Sequence, residues 1–276
     1  MSSVINTNVK SIVAQNAMSV NNRSMSKAME QLSTGKRINT AADDAAGLAI
    51  ANRMTSQIKA LNQSVRNAND AISMMQTAEG ATKEITNMLQ RMRELAVQAA
   101  NDTYGSTDRT AISVEIGELQ AEVTRIAGNT QWNGMSILSG DTAYSVVSFQ
   151  VGTEGDATSA ITMAFSGMSS GALTVATLTV TTNATAQASI ELLDTAISTV
   201  DTFRSTLGAK VNRMTSAADS LANVAMNTSA SRSQIEDTDY AQATTELART
   251  QIIQQAATAM LAQANQQPQA VLSLLK

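Results

Sequence analysis

The chain has 276 residues, 19 basic and 23 acidic side chains, a net charge of −4, and neither histidine nor cysteine. That composition excludes disulfides, thiol nucleophiles, a histidine general base and the common zinc ligand sets. The mild negative charge argues against a general nucleic-acid footprint.

Hydrophobic residues make up 43% of the chain but aromatics only 3%. Apolar surface therefore comes from Ala, Met, Leu, Ile and Val, which suits helix-on-helix packing. Fifteen methionines favour adaptable contacts, and a single proline, Pro268, leaves almost every position free to be helical. No run of about 18 apolar residues is present, so no membrane span is expected. The opening residues lack a basic end followed by an apolar run. A cleaved signal peptide is therefore not expected, and any export needs another route. The missing cysteines fit either a reducing interior or a secreted protein free of disulfide errors.

Residues 1–33 space Ile5, Val9, Ile12, Met18, Met25, Met29 and Leu32 helically, with Asn, Ser and Gln between them. Such a stripe is marginal alone, so this end is expected to order only on assembly. Gly35-Lys36-Arg37 breaks the pattern. Thr40-Ala41-Ala42-Asp43 reads as a capping-box variant, with Asp43 and Asp44 in the first turn of the next helix. From Met54 the apolar residues step four, three, four, three through Ile58, Leu61, Val65, Ala68, Ile72 and Met75. The seam shifts phase near Gly80 and resumes through Ile85, Met88, Met92, Leu95 and Ala99. This is a heptad rod of about 90 Å at the usual helical rise.

Asn101 to Ser106 ends the rod. Ile112, Ile116, Leu119, Val123 and Ile126 mark a second helix, expected to fold back antiparallel. Gly128 and Asn129 close it, and Trp132-Asn133-Gly134 reads as a turn. From about 139 to 189 Gly, Ser, Thr and Ala dominate. Short strands are expected at Val147–Val151, at Ile161–Phe165 and along Val175–Val180, in a variable surface region. Helical spacing returns from Ile190 to Ala225, which supplies a partner for the rod. Ser233-Gln234-Ile235-Glu236 looks like another capping box. A last helix carries Tyr240, Ala243, Leu247, Ile253, Met260 and Ala264 until Pro268 stops it. The fold class is mainly α: a long antiparallel helical coiled-coil bundle with a small β-rich insertion between its two halves.

The chain resembles bacterial flagellin. The resemblance is carried by Ile5-Asn6-Thr7-Asn8, by Leu32-Ser33-Thr34-Gly35-Lys36-Arg37-Ile38-Asn39 with Asp43-Asp44-Ala45-Ala46-Gly47, and by Gln90-Arg91-Met92-Arg93-Glu94-Leu95-Ala96-Val97-Gln98. It continues with Asn129-Thr130-Gln131-Trp132-Asn133-Gly134, Ile235-Glu236-Asp237-Thr238-Asp239-Tyr240-Ala241 and Val271-Leu272-Ser273-Leu274-Leu275. It covers roughly residues 1 to 140 and 186 to 276, and the middle is much shorter than in flagellins with large outer domains.

The resemblance implies a secreted, extracellular filament subunit for motility. It is exported unfolded through the flagellar type III pathway, escorted by a chaperone on its C-terminal helix, and assembled beneath the distal cap. Residues 1–39 and 234–276 form the inner, channel-lining coiled coil in this scheme. Residues 40–138 and 186–233 form the rod domain, and 139–185 the outward-facing region. The polymerising side chains are Ile5, Val9, Ile12, Met18, Met25, Leu32, Leu247, Ile253, Met260, Leu272 and Leu275. Cap and hook–filament junction proteins are the other flagellar partners. The resemblance also implies recognition by the flagellin-sensing Toll-like receptor through Arg91, Leu95 and Glu115. The plain alternative makes Arg91 and Glu115 solvated charges and Leu95 core.

The competing class is a hook–filament junction protein or another helical scaffold with the same seams, scarce and unable to elongate. An enzyme is not expected. Asp43-Asp44 and Asp237-Thr238-Asp239 sit at helix starts, where capping explains them, and calcium lacks a looped oxygen set there. No cofactor is expected. Ser and Thr of the middle region are candidates for O-linked sugars or plain solvated loop.

Overall fold

A computed structural model describes residues 7–273, with side chains described for all of these except Ala157 and residues 267–273. The described chain forms five helices: α1 (Val9–Thr34), α2 (Ala45–Ala99), α3 (Ser106–Asn129), α4 (Asn183–Glu236) and α5 (Tyr240–Ser273). Two hairpins, β1 (Gln131–Trp132) with β2 (Met135–Ser136) and β3 (Val146–Gln150) with β4 (Ala160–Ala164), lie between α3 and α4. The chain divides into two compact units, residues 1–58 with 226–276 and residues 59–225.

In the second unit, α2, α3 and α4 bury one continuous apolar core. The heptad positions Leu61, Ala68, Met75, Ile85, Met92, Leu95 and Ala99 are buried as the spacing predicts. So are Leu193, Val200, Phe203, Leu207, Met214 and Ala218 on α4. Helix α2 also buries Ala71, Met74, Ala78, Leu89 and Ala96, a second stripe beside the seam. A heptad seam serves one partner; α2 is covered from two sides and so buries a wider face. The antiparallel return of α3 is fixed by Arg109, whose guanidinium donates to the Ala99 and Asn101 carbonyls at the end of α2.

Gly134 (φ +79°) and Asn133 (φ +49°) make the two-residue left-handed turn that joins β1 to β2, as an Asn-Gly pair favours. Strands β3 and β4 pair antiparallel from Val146↔Ala164 to Gln150↔Ala160. The strand expected at Val175–Val180 does not form. That stretch is irregular, yet Leu173, Val175, Leu178 and Val180 are buried. Its carbonyls find side-chain donors instead of a neighbouring strand: Gln120 donates to Val175 O at 2.8 Å and Ser189 to Thr179 O at 3.1 Å. Backbone acceptors satisfied from helices need no ladder. The insertion is accordingly more than a surface flap. Ile161, Met163 and Met168 join the core, and Phe165 meets Phe203 edge-on at 6.4 Å.

In the first unit, α1 and α5 pack side by side, antiparallel. Asn8 reaches Ala264, Asn21 reaches Thr250, and Lys36 forms an isolated antiparallel bridge with Asp237. Gly35 ends α1 with φ +71°, its N–H bonded to Gln31 O at 2.9 Å, a left-handed stop that glycine tolerates.

Three expected helix boundaries are corrected. The cap of α2 is Asp44, whose carboxylate accepts from Gly47 N at 2.9 Å, rather than Thr40. Ser233–Glu236 form the last turn of α4, and α5 is capped by Asp239, which accepts from Ala241 N and Gln242 N. A capping box needs a chain break before it, and α4 is unbroken there. Pro268 does not stop α5, which runs on to Ser273.

Leu89 is fully buried whereas Val114 is 63% exposed. Leu89→Ala is expected to lower the unfolding free energy of the bundle by about 2–5 kcal/mol. Val114→Ala is expected to stay within about 0.5 kcal/mol, both read by urea denaturation.

Candidate self-assembly site

The α1–α5 pair is built inside out. Among the described residues, its buried positions are Ser11, Asn21, Ala28, Ala243 and Thr250, all small or polar. The larger side chains Met18, Met25, Leu32 and Leu247 are half-buried. Val9, Ile12, Val13, Val20, Met29, Ile252, Ile253 and Met260 are exposed. Val9, Val13 and Met260, with Ile253 and alanines of both helices, border an open, mainly apolar groove of about 670 Å³. Water-facing apolar patches of this kind mark interaction surfaces. Of the residues expected to polymerise, Val9, Ile12, Met18, Met25, Leu32, Leu247, Ile253 and Met260 therefore lie together on this pair. Ile5 and Leu275 lie outside the described residues, as does the side chain of Leu272.

The polar interior was not anticipated, although Asn21 falls on the apolar step between Met18 and Met25. Its amide donates to Thr250 O at 2.8 Å, and the Thr250 hydroxyl bonds back to Glu246 O and Leu247 O. Buried amides of this kind fix register at some cost in stability.

Where α1 ends and α5 begins, the two chain breaks are stitched together. Arg37 N donates to Glu236 O at 2.7 Å, Thr238 N to Gly35 O at 3.0 Å, and the Arg37 guanidinium to Ile235 O at 2.7 Å. Lys36 pairs with Glu236 at 2.5 Å. On the other side of the break, Asp43 holds the turn before α2. It accepts from Asn39 N, Thr40 N and the Thr40 hydroxyl, and pairs with Lys27 of α1 at 2.7 Å. The Lys27 ammonium, then the Thr40 N–H, hold the Asp43 pKa at about 2, below its ordinary 3.8. Three acidic residues at the breaks are thus committed to turns and caps: Asp44 and Asp239 cap helices, and Asp43 binds the turn.

In the other unit, Arg91 and Glu115 meet on the surface. Arg91 donates to Glu115 at 2.9 and 3.1 Å and to Glu94 at 3.1 Å, and the contact with Glu115, then that with Glu94, raises the guanidinium pKa. Leu95 stands apart from them: it is 2% exposed and packed into the core. The reachable surface here consists of Arg91, Glu94 and Glu115.

Comparison with known proteins accounts for both ends of the chain. Residues 5–143 match the bacterial flagellin N-terminal helical region, and residues 190–275 the bacterial flagellin C-terminal helical region. The chain belongs to the bacterial flagellin family. It is a structural subunit of the flagellar filament, placed outside the cell. It is 42% identical to a flagellin of Halalkalibacterium halodurans, over 99% of this chain and 100% of that protein. It is 40% identical to a flagellar filament 33 kDa core protein of Treponema phagedenis, over 99% of this chain and 100% of that one. The crystal structure of Bacillus cereus flagellin superposes with a TM-score of 0.50 at 35% identity, covering 56% of this chain and 88% of that one. These full-length relatives include short proteins, so a compact middle is compatible with the family.

A carboxylate whose folded pKa is depressed stabilises fully above its ordinary pKa and loses that contribution as pH falls through the folded value. The Asp43 turn is therefore expected to hold above pH 3.8 and to open as pH approaches about 2. Amide exchange at Asn39 and Thr40, whose N–H groups it accepts, reads the opening. Asp43→Ala, which leaves no acceptor, should remove the protection of both amides relative to their intrinsic exchange, and with it the acid transition.

Proposed function

We propose that the subunit elongates the filament through the α1–α5 pair, whose exposed apolar side chains are covered by neighbouring copies. The inside-out burial of that pair carries the reading. Burying a Leu or Met side chain stabilises by roughly 1.5–3 kcal/mol, and a pair that keeps Asn and Ser inside and Val, Ile and Met outside gains little from its own packing. Copies joined head to tail without ring closure grow into an open helical fibre. In this arrangement residues 1–39 and 234–276 line the channel, 40–138 and 186–233 form the surrounding tube, and 139–185 face outward. The match to flagellins over their entire length supports a filament subunit over a junction protein.

Export unfolded through the flagellar type III pathway belongs to the same reading. A chain without cysteine can be threaded and refolded with no disulfide to break. Most of its contacts join residues close in sequence, as helices provide, and such contacts form quickly. A chaperone would shield the exposed Ile252, Ile253 and Met260 of α5 before export, and cap and junction proteins would receive the subunit afterwards. Host recognition by the flagellin-sensing Toll-like receptor would use Arg91 and Glu115, with Leu95 acting from below by holding α2 in place.

Deleting residues 1–33 and 240–276 together is expected to abolish fibre growth from filament seeds while the 59–225 bundle keeps its helical circular dichroism. Long fibres grown from the truncated chain, seen by electron microscopy, would sink this reading. Arg91→Ala, which removes both ion pairs, is expected to cut activation of receptor-bearing cells at least several-fold without altering fibre growth.

A further inference from the structure

The proline of α5 and the first capping residue of α1 answer one another. Pro268 carries no backbone N–H, so the carbonyl four residues earlier in α5, that of Ala264, has no helical donor. Helix α5 nonetheless continues to Ser273. The amide of Asn8 donates to that same carbonyl, Asn8 Nδ2 to Ala264 O at 2.8 Å. The other end of the amide is also engaged: Asn8 Oδ1 accepts from Ser11 N at 3.2 Å and so caps α1. One side chain thus closes the start of α1 and fills the gap that the only proline of the chain leaves in α5.

Asn8 and Ala264 stand at the end of the apolar groove, beside Val9, Val13 and Met260. Once a neighbouring copy covers the groove, a carbonyl left there without a donor is costly. Sliding α1 along α5 by one turn removes Asn8 from Ala264 and leaves that acceptor bare, whereas the alanines and valines tolerate the slide. Small and apolar contacts between two helices specify axial position weakly, and a lone polar pair specifies it strongly.

We propose that Asn8 is a register-setting residue of the terminal helix pair, beside Asn21: its amide replaces the backbone donor that Pro268 lacks, and so helps fix which apolar face the pair presents to the next subunit. Asn21 is the informative contrast. Its amide donates to Thr250 O, but the residue four places on, Gln254, has an ordinary N–H, so the Thr250 carbonyl is never orphaned. Asn8 is thus tied to residue 268, and Asn21 is not.

The proposal rests on polymerisation through this pair, and a mutant cycle on the full-length chain separates the two claims. Asn8→Asp keeps an acceptor for Ser11 N but, ionised at neutral pH, has nothing to donate. Critical concentration in seeded polymerisation is the readout. Asn8→Asp should raise it about fivefold or more when residue 268 is proline, the scale of one lost hydrogen bond. With Pro268→Ala, whose new N–H serves Ala264 O, the same change should be less than about twofold. Asn21→Asp should have the same effect in either background. If Asn8→Asp blocks growth outright, Pro268→Ala must restore it. Equal penalties with proline and with alanine, or no restoration, overturn the assignment of Asn8. Loss of the wild-type chain's own growth would instead overturn the polymerisation reading.

Discussion

The structure depends on where hydrophobic side chains are left without cover. In the 59–225 unit each apolar stripe has a partner. Met75, Leu89 and Met92 of α2 are sealed within a core to which α3, α4 and the chain between them contribute. Among the described residues of the α1–α5 pair, the line of contact is given to Ser11, Asn21, Ala28, Ala243 and Thr250. Two helices touching along small residues approach closely but remove little apolar area from water. Val9, Ile12, Val13, Val20, Met29, Ile252, Ile253 and Met260 remain outside. One unit covers its apolar stripes within a single chain; the other leaves side chains exposed to cover of the kind proposed above.

That difference explains why polar groups appear where they do. A three-helix core held by Met, Leu and Ile needs no polar marker, since displacement of a stripe exposes large side chains at once. A pair lined by Ala and Ser has no such restoring force. Amides aimed at particular carbonyls supply it, from Asn21 to Thr250 and from Asn8 to Ala264. Farther along, the stitched chain breaks at Gly35–Arg37 and Glu236–Thr238 pin the same pair at its other end by backbone bonds. Directional bonds here do the positioning that packing does elsewhere.

Much of this was legible in the residues. The seam from Leu61 to Ala99 and the partner stripe from Leu193 to Ala225 follow from periodicity alone, because a buried helix face repeats every three or four residues whatever covers it. What periodicity leaves open is how many partners a helix has, and so Met74 and Leu89 escaped the heptad pattern. The irregular Val175–Val180 stretch reads as a strand because β-branched residues favour extended backbone. Whether such backbone finds a strand or a glutamine from α3 is decided by tertiary neighbours. Caps failed for a related reason: Thr40 and Ser233 have cap-like side chains, but the break falls where Asp44 and Asp239 can reach the following N–H groups. The apolar side chains of the α1–α5 pair were legible, and the buried amides between them were not. Asn reads as surface unless its position on the stripe is counted.

Pro268 shows why a local rule can fail without being wrong. A proline within a helix removes one donor and strains the turn before it, and in isolation that is reason enough to end the helix. The rule counts only bonds made inside the helix. Here the orphaned carbonyl faces a second helix whose cap has an unused N–H pair, and the account closes across the chain at a sequence separation of 256 residues. The penalty that would have ended α5 becomes dependence on α1: the last turns of α5 are satisfied only when the first residues of α1 are in place. The dependence runs one way: the cap of α1 closes on its own Ser11, while the Ala264 carbonyl of α5 is served from the far end of the chain.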